Sequence, residues 1–581
     1  MSPSVSGESE AAAQWWRGAV IYHIYPRSFA DSNGDGIGDL PGITARLEYI
    51  ASLGVDAIWL SPFFTSPMKD FGYDVADYCN VDPMFGTLED FDRLVERAHA
   101  LGLRIVIDQV FSHTSDQHPW FRESRSDRSN ARADWYVWAD AKPDGSPPSN
   151  WQSVFGGAAW AWDARRGQYY LHNFLVEQPD LNVHNPDVQN ALLNCARFWL
   201  DRGVDGFRLD AIDYTMHDPG LRDNPERPDD GRIRSRPVDF QQPRYNKGHE
   251  DIVTFIERVR ALTESYGGRF TVGEIGGEGA EPIMKRVTDG GRRLHTAYGF
   301  NFLYADALTP ELVRAATEAW PDDGRTAWPS WAFSNHDAPR AVSRWSANDD
   351  QRETVARLAL LLLVSLRGNV FLYQGEELGL PQAEVGFEDL KDPEAIANWP
   401  LTLGRDGART PMPWVRDAPN AGFSVGRPWL PVPRVHAQLA VDGQEGDPES
   451  VLALARRLVG LRKRYEALRV GGMRIIEASE AMLVFERVCG GERSWGGQAG
   501  GERTASGRLG SGRSSGEPAA SGRLGGERVL CVFNFGSEPR AFEAPGAAEW
   551  RVIQAVGGAT LSGLPGWSGL IASTRMGGKA M

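Results

Sequence analysis

Short apolar runs that end in polar residues recur along the first 380 or so positions: AVIYHIYP, AIWLSP, RIVIDQV, GFRLDA, TVGEI, AYGFNF, SWAFSNHD and NVFLYQGEE. Between most of them the period changes to that of a helix. In Ile43–Gly54 and Glu89–Gly102 apolar positions recur three and four residues apart, and a glycine stops the pattern. Eight strands alternating with helices predict an α/β fold, a closed (β/α)8 TIM barrel, in which functional side chains gather where strands end.

The pattern breaks in three places. Residues 113–183 are rich in Trp, Gly, Asp and Pro with little helical period, too long for a loop, and predict an inserted domain. A second excursion, at about 380–435, is rich in Pro and Gly. After the helical Ser450–Leu468, the runs AMLVFERV and RVLCVFNFG alternate as strands do and predict a C-terminal β domain. The expected organisation is a barrel over 1–112 and 184–470, the insertion over 113–183, and the β domain over 471–581. Within the last, 490–527 is Gly/Ser/Arg-rich, with SGRLG twice and GER three times. Such composition cannot bury a core and is expected as a disordered loop inside a hairpin.

Composition narrows the partners. A net charge of −15 without a Lys/Arg run argues against nucleic acid and anionic membranes. The load of 20 Trp, 15 Tyr and 25 Phe fits a large core or a site that stacks flat ligands such as sugar rings. Cys79, Cys195, Cys489 and Cys531 show no CxxC spacing, which argues against a zinc cluster or disulfide framework and fits a reducing compartment. The stretch MSPSVSGESEAAAQWW lacks the basic and apolar regions of a secretory signal. The apolar Leu358–Leu366 is too short to span a bilayer and reads as a buried helix. A cytoplasmic, soluble protein is expected.

In GFRLDA, strand geometry puts Arg208 and Asp210 on one face and Phe207 and Leu209 on the other. Asp210, Glu274 and Asp337 stand at three predicted strand ends. Glycoside cleavage needs a protonated acid and an ionised nucleophile or base across the scissile bond. Arg208 is expected to lower the pKa of Asp210, which suits a nucleophile. Glu274, with no cation beside it in sequence, is expected to be raised by burial, which suits an acid. Asp337 with His336 can hydrogen-bond sugar hydroxyls. One Arg–Asp pair alone is more often a buried salt bridge; three carboxylates at three ends of one barrel outweigh that reading.

The motifs DQVFSH (Asp108–His113), GFRLDA, GEI and SNHD, in that order, resemble those of glycoside hydrolase family 13, the α-amylase family, along nearly the whole chain. The resemblance implies a retaining reaction with Asp210 as nucleophile, Glu274 as acid/base and Asp337 as transition-state stabiliser. It also implies that the insertion is the family's B domain and the C-terminal strands an antiparallel β-sandwich. QPDLN (Gln178–Asn182) and ARTPMPW resemble the oligo-1,6-glucosidase/α-glucosidase branch. By that likeness Asp70 and Arg409 grip the non-reducing end of bound glucose and Tyr73 stacks on its ring. His113, Arg208 and His336 then bind hydroxyls, and Phe155 and Phe174 line the wall. DSNGDGIGD carries oxygens at alternate positions like the start of a calcium loop, although Gly42 stands where an EF-hand needs Glu. The resemblance implies structural Ca2+, with Mg2+ as the alternative, on Asp31, Asn33, Asp35, the Ile37 carbonyl and Asp39. It implies no organic cofactor.

In this branch valine after the nucleophile goes with α-1,6 linkages and alanine or threonine with α-1,4; this chain has Ala211. The expectation is therefore an exo-acting α-1,4-glucosidase for maltose-size substrates, a monomer or homodimer, able to pass glucose to acceptor alcohols. The alternatives are an oligo-1,6-glucosidase, a trehalose- or sucrose-active enzyme, and, remotely, a non-catalytic scaffold, which would need an anchor that this chain lacks.

Overall fold

In the computed structural model the described residues are 14–231, 234, 236–277, 279–320, 328–400, 402, 404–490, 526–545 and 549–574. Eight strands form a closed barrel: β1 Val20–Ile24, β2 Ala57–Leu60, β3 Arg104–Val110, β4 Gly206–Asp210, β5 Phe270–Glu274, β6 Thr296–Tyr298, β7 Trp328–Ala332 and β8 Asn369–Tyr373. All neighbours pair in parallel, and β8 closes on β1 with Val20 beside Val370. Every predicted apolar run supplies one strand, and the (β/α)8 fold is established.

Side chains alternate across the barrel wall, as a period of two demands. Tyr22, Ile107, Phe207 and Leu209 pack outward against the helices, while Ile21, Trp59, Val106 and Val272 fill the interior. Arg208 and Asp210 share the interior face, and β3 places Asp108 directly beside Arg208.

The helices follow their caps. Leu88–Ala100 starts from Thr87, whose hydroxyl accepts the Asp90 N–H while the Asp90 carboxylate accepts the Thr87 N–H; it buries Phe91, Leu94, Val95 and Ala98 along one stripe. The single helix expected over Ile43–Gly54 is instead two, Leu40–Ala45 and Leu47–Ser52. They break at Arg46 (ψ 8°), whose guanidinium lies 4.3 Å over the Trp414 ring. The pattern conceals the break because Leu40, Ile43, Leu47 and Ile50 keep helical spacing across it and are all buried.

The apolar run at Leu358 lies in helix Arg352–Ser365, packed between the barrel and the C-terminal sheet. Arg487 of that sheet donates to the Ser365 carbonyl (2.7 Å), and Arg462 donates to those of Val364 (2.6 Å) and Leu366 (3.0 Å), satisfying the helix end. Among the described residues no helix is long and apolar enough to cross a membrane.

The insertion after β3 holds a three-stranded antiparallel sheet of Trp138–Ala139, Gln168–Leu171 and Trp160–Asp163. The C-terminal β domain has a five-stranded antiparallel sheet and a two-stranded partner, Arg540–Ala541 with Gly563–Leu564. Leu483, Phe485 and Cys531 join the barrel core, while Val484, Leu530 and Val532 form a second core with Leu564 between the two sheets. Met482–Cys489 and Glu527–Asn534 pair as an antiparallel hairpin. Most of the loop expected to be disordered, residues 491–525, lies outside the described residues.

Candidate active site

The strand ends converge on one guanidinium. Arg208, wholly buried, lies 5.0 Å over the Trp59 indole, on whose ring His23 is stacked. Its nitrogens reach Asp210 (2.5 Å), Glu274 (2.5 Å) and Asp108 (3.1 Å), and donate to the Tyr298 hydroxyl at 2.9 Å. The Tyr298 O–H donates in turn to Glu274 Oε1 at 3.0 Å. Glu274 Oε2 accepts the Ala211 N–H at 3.2 Å, so the residue after Asp210 holds the carboxylate of β5. Ala211 has φ 38°, a left-handed conformation that side chains with a Cβ adopt at a cost, and strain of this kind collects at functional sites.

A second chain of charges closes the opposite side. Arg409 donates to Asp337 (2.7 Å) and to the His336 carbonyl (2.7 Å). Arg405 donates to Asp70 (2.8 Å) and Asp392 (2.8 Å), approaches Asp337 at 3.5 Å, and lies 5.0 Å over the Phe155 ring. Gln178 of QPDLN donates to Asp70 (3.2 Å) and meets His113 (3.1 Å). Tyr73 stacks parallel to His336 at 5.4 Å and its O–H reaches Asp108 (3.0 Å) and His336 (2.5 Å). Phe174 stands between His113 and Phe155, with ring separations of 5.1 and 6.1 Å.

Twelve of the residues singled out by sequence are thus gathered in one pocket, in partnerships the sequence did not specify. Asp70 and Arg409, expected as a joint clamp, each bond to a different partner, with Arg405 between them. The expected protonation pattern also changes. Burial is the larger influence on Asp210 and raises its pKa well above the usual carboxylate range, Arg208 pulling against it. Arg208 does not serve Asp210 alone, because Glu274, expected to stand without a cation, touches the same guanidinium. Burial likewise pushes Asp108 up to about 7. Carboxylates this close cannot all ionise together, so the cluster retains a proton. At Asp337 burial raises the pKa, but Arg409, Arg405 and Arg208 outweigh it and hold the group below its ordinary value. Burial lowers His113 to about 4 and His336 well below its usual range, so both rings are neutral hydrogen-bonding groups.

Asp108, Tyr298, Arg405, Asp392 and Gln178 were not singled out by sequence. Asp108 and Gln178 lie inside quoted motifs, Tyr298 ends a predicted strand, and Arg405 stands four residues before Arg409 in GRDGAR. Asp392 carries no sequence signal.

The loop expected to hold a cation satisfies its own backbone. Asp31 accepts the N–H groups of Asn33 (3.0 Å), Gly34 (2.7 Å) and Gly36 (2.8 Å) and the Ser424 hydroxyl, nearly 400 residues away. Asp39 turns its carboxylate to the Gly42 N–H, capping the next helix, and to Ser32. The oxygen donors suit Ca2+ or Mg2+, and Asn33 and Ile37 stay in the same turn as Asp35, to which the Asn33 amide (3.1 Å) and the Ile37 N–H (2.9 Å) donate; among the described residues no three acidic, His or Cys side chains by themselves form a metal site. Asp31→Ala is expected to cost about 1–2 kcal/mol, the scale of losing a side-chain cap on backbone N–H groups that water can reach. Calorimetry in EDTA and in CaCl2 tests the cation: a larger loss with calcium is expected of a cation loop, and equal losses would leave it a hydrogen-bonded turn.

A barrel whose strand ends gather carboxylates, guanidiniums and neutral imidazoles in one pocket is built for cleaving glycosides. The family model for the alpha amylase catalytic domain matches residues 23–471, and a domain of unknown function, DUF3459, matches 507–571. The chain belongs to the α-amylase family and is a glycoside hydrolase acting on α-glucosides. It is 54% identical to a probable alpha-glucosidase of Rhizobium meliloti (strain 1021), over 85% of this chain and 90% of that one. To an oligo-1,6-glucosidase of Heyndrickxia coagulans it is 38% identical, over 79% and 87% of the two chains. Its structure matches that of an alpha-glucosyl transfer enzyme, XgtA, with a TM-score of 0.86 and 48% identity, over 97% of this chain and 99% of that one.

Proposed function

We propose that the protein is a retaining, exo-acting α-glucosidase that releases glucose from the non-reducing end of short α-1,4-linked gluco-oligosaccharides such as maltose. The observation that carries the reading is the Asp70–Arg405–Asp392 interlock, braced by Gln178 and Phe155. In this reading the interlock closes one end of the pocket, so that a single terminal sugar occupies it.

In this reading Asp210 attacks the anomeric carbon while Glu274 gives its proton to the glycosidic oxygen. The C–O bond breaks, the alcohol leaves, and an ester joins Asp210 to the sugar. Glu274 then takes a proton from water, whose oxygen attacks the same carbon and releases Asp210, so two inversions retain the α configuration. The guanidinium that touches both carboxyl groups supports the close separation a retaining pair requires. Asp337, held ionised by its arginines, and the neutral His113 and His336 suit the sugar hydroxyls.

Ala211 supports the α-1,4 preference. Its small side chain leaves the aglycone side open, and at φ 38° a β-branched residue would be strained. A methyl-scale difference is worth about 1–3 kcal/mol, so preference rather than exclusion is expected. Transfer of glucose to an alcohol needs only that the acceptor replace water. The printed name of XgtA describes such transfer. Rates on maltose, isomaltose, trehalose and sucrose, with products followed by NMR, test the reading. Maltose should be preferred, α-glucose should appear first, and a phenolic acceptor should yield an α-glucoside. Isomaltose strongly preferred would overturn the linkage assignment, and free glucose alone would overturn transfer.

A further inference from the structure

The long connection after β4 carries a buried ammonium group that the reaction scheme leaves unused. Lys247 Nζ donates to the Gly276 carbonyl at 2.5 Å and lies 3.3 Å from Asp213 Oδ2 and 4.9 Å from the centre of the Tyr214 ring. Gly276 is two residues beyond Glu274, and Asp213 three beyond Asp210. The ammonium therefore ties together the two segments that leave the nucleophile and acid/base strands.

Both neighbours of Lys247 are held. Asn246 is buried and bonds Asn173 of the insertion (2.8 Å) and Asn224 (2.9 Å), while the Gly248 N–H donates to the Asp213 carbonyl at 2.6 Å. Gly248 takes φ 68°, and at Gly277 (φ 78°) an added Cβ would lie 3.2 Å from Nζ, so the backbone is shaped closely around the ammonium. Between the tied segments sits the contact from the strained Ala211 N–H to Glu274 Oε2, while Arg208 and Tyr298 hold Oε1.

We propose that Lys247 is a positioning residue for the two reacting carboxyl groups: by clamping Asp213 to the Gly276 carbonyl it fixes the separation of Asp210 and Glu274. The proposal rests on Glu274 being the acid/base. A buried cation is a costly device, and its use is stiffness: misplacement of a reacting group by about 1 Å costs on the order of 100-fold in rate.

The test is Lys247→Met, which keeps length and removes the charge, assayed on maltose and on p-nitrophenyl α-glucoside. The nitrophenolate leaves without protonation, so formation of the glycosyl ester, which kcat/KM reports, does not need Glu274 as an acid on this substrate. The expected result is a kcat/KM loss of about 10- to 100-fold on maltose and under about threefold on the aryl glucoside. The Asp213→Asn/Lys247→Met double variant removes the unpaired buried charge and should recover thermal stability while keeping the maltose defect. Equal losses on both substrates, or a double variant with wild-type kcat/KM on maltose, would overturn the proposal. Glu274→Gln on the same two substrates separates the readings: if it cleaves maltose at the wild-type rate, the acid/base assignment itself fails.

Discussion

Asp210→Asn is expected to lower kcat on maltose by about 10⁴-fold or more, the scale of loss seen when a covalent nucleophile is removed. The amide keeps the shape of the carboxylate but cannot form the glycosyl ester. Stability should move the other way. Asp210 is one of three carboxylates crowded on Arg208, and burial already disfavours its charge. Arg208 keeps Asp108 and Glu274 as partners in the variant. Loss of activity with an unchanged or raised Tm is therefore the signature of a reacting group; loss with unfolding would mark a structural one. Stopped-flow glucose release and calorimetry on the same sample decide, and activity within tenfold of wild type would remove Asp210 from the mechanism.

The second large effect is on the fold. Arg208→Met strips the common partner from three buried carboxylates, and breaking a buried ion pair from one side costs about 3–5 kcal/mol. The sign of its pH dependence follows from linkage. Arg208 pulls Asp108 and Asp210 down against burial, so without it their folded pKa values rise further above those of the unfolded chain. A carboxyl group raised in the folded state destabilises above its unfolded pKa, increasingly as pH rises towards the folded value. The Tm deficit should thus be small near pH 4, where the cluster is protonated, and largest at pH 8. A deficit independent of pH would mean that the lost contact with Trp59, rather than charge, matters.

Those two residues also mark how far the sequence carries. The apolar runs delimit all eight barrel strands, because a strand packed on both sides needs an apolar core segment whatever its neighbours are. The same period of two puts Arg208 and Asp210 on one face. Three carboxylates at three strand ends then bound the chemistry to glycosides, since in such a barrel every strand end opens on one face. The sequence also contains the Gln178 and Arg405 that brace the pocket, though nothing local marks what they touch.

What chain order cannot convey is which groups share a charge. Arg208 is adjacent in sequence only to Asp210, yet it meets Asp108 from β3 and Glu274 from β5 at similar distances, so the simple division into a lowered nucleophile and a raised acid dissolves into one coupled cluster. The two-helix break at Arg46 and the Arg405–Asp392 pair arise likewise from contacts with remote segments. Local pattern determined the strands, their faces and the reacting residue types, because those depend on backbone period and burial. Only the tertiary structure decided the electrostatics, because Coulomb interactions act through space between side chains that the barrel, and not the sequence, brings together.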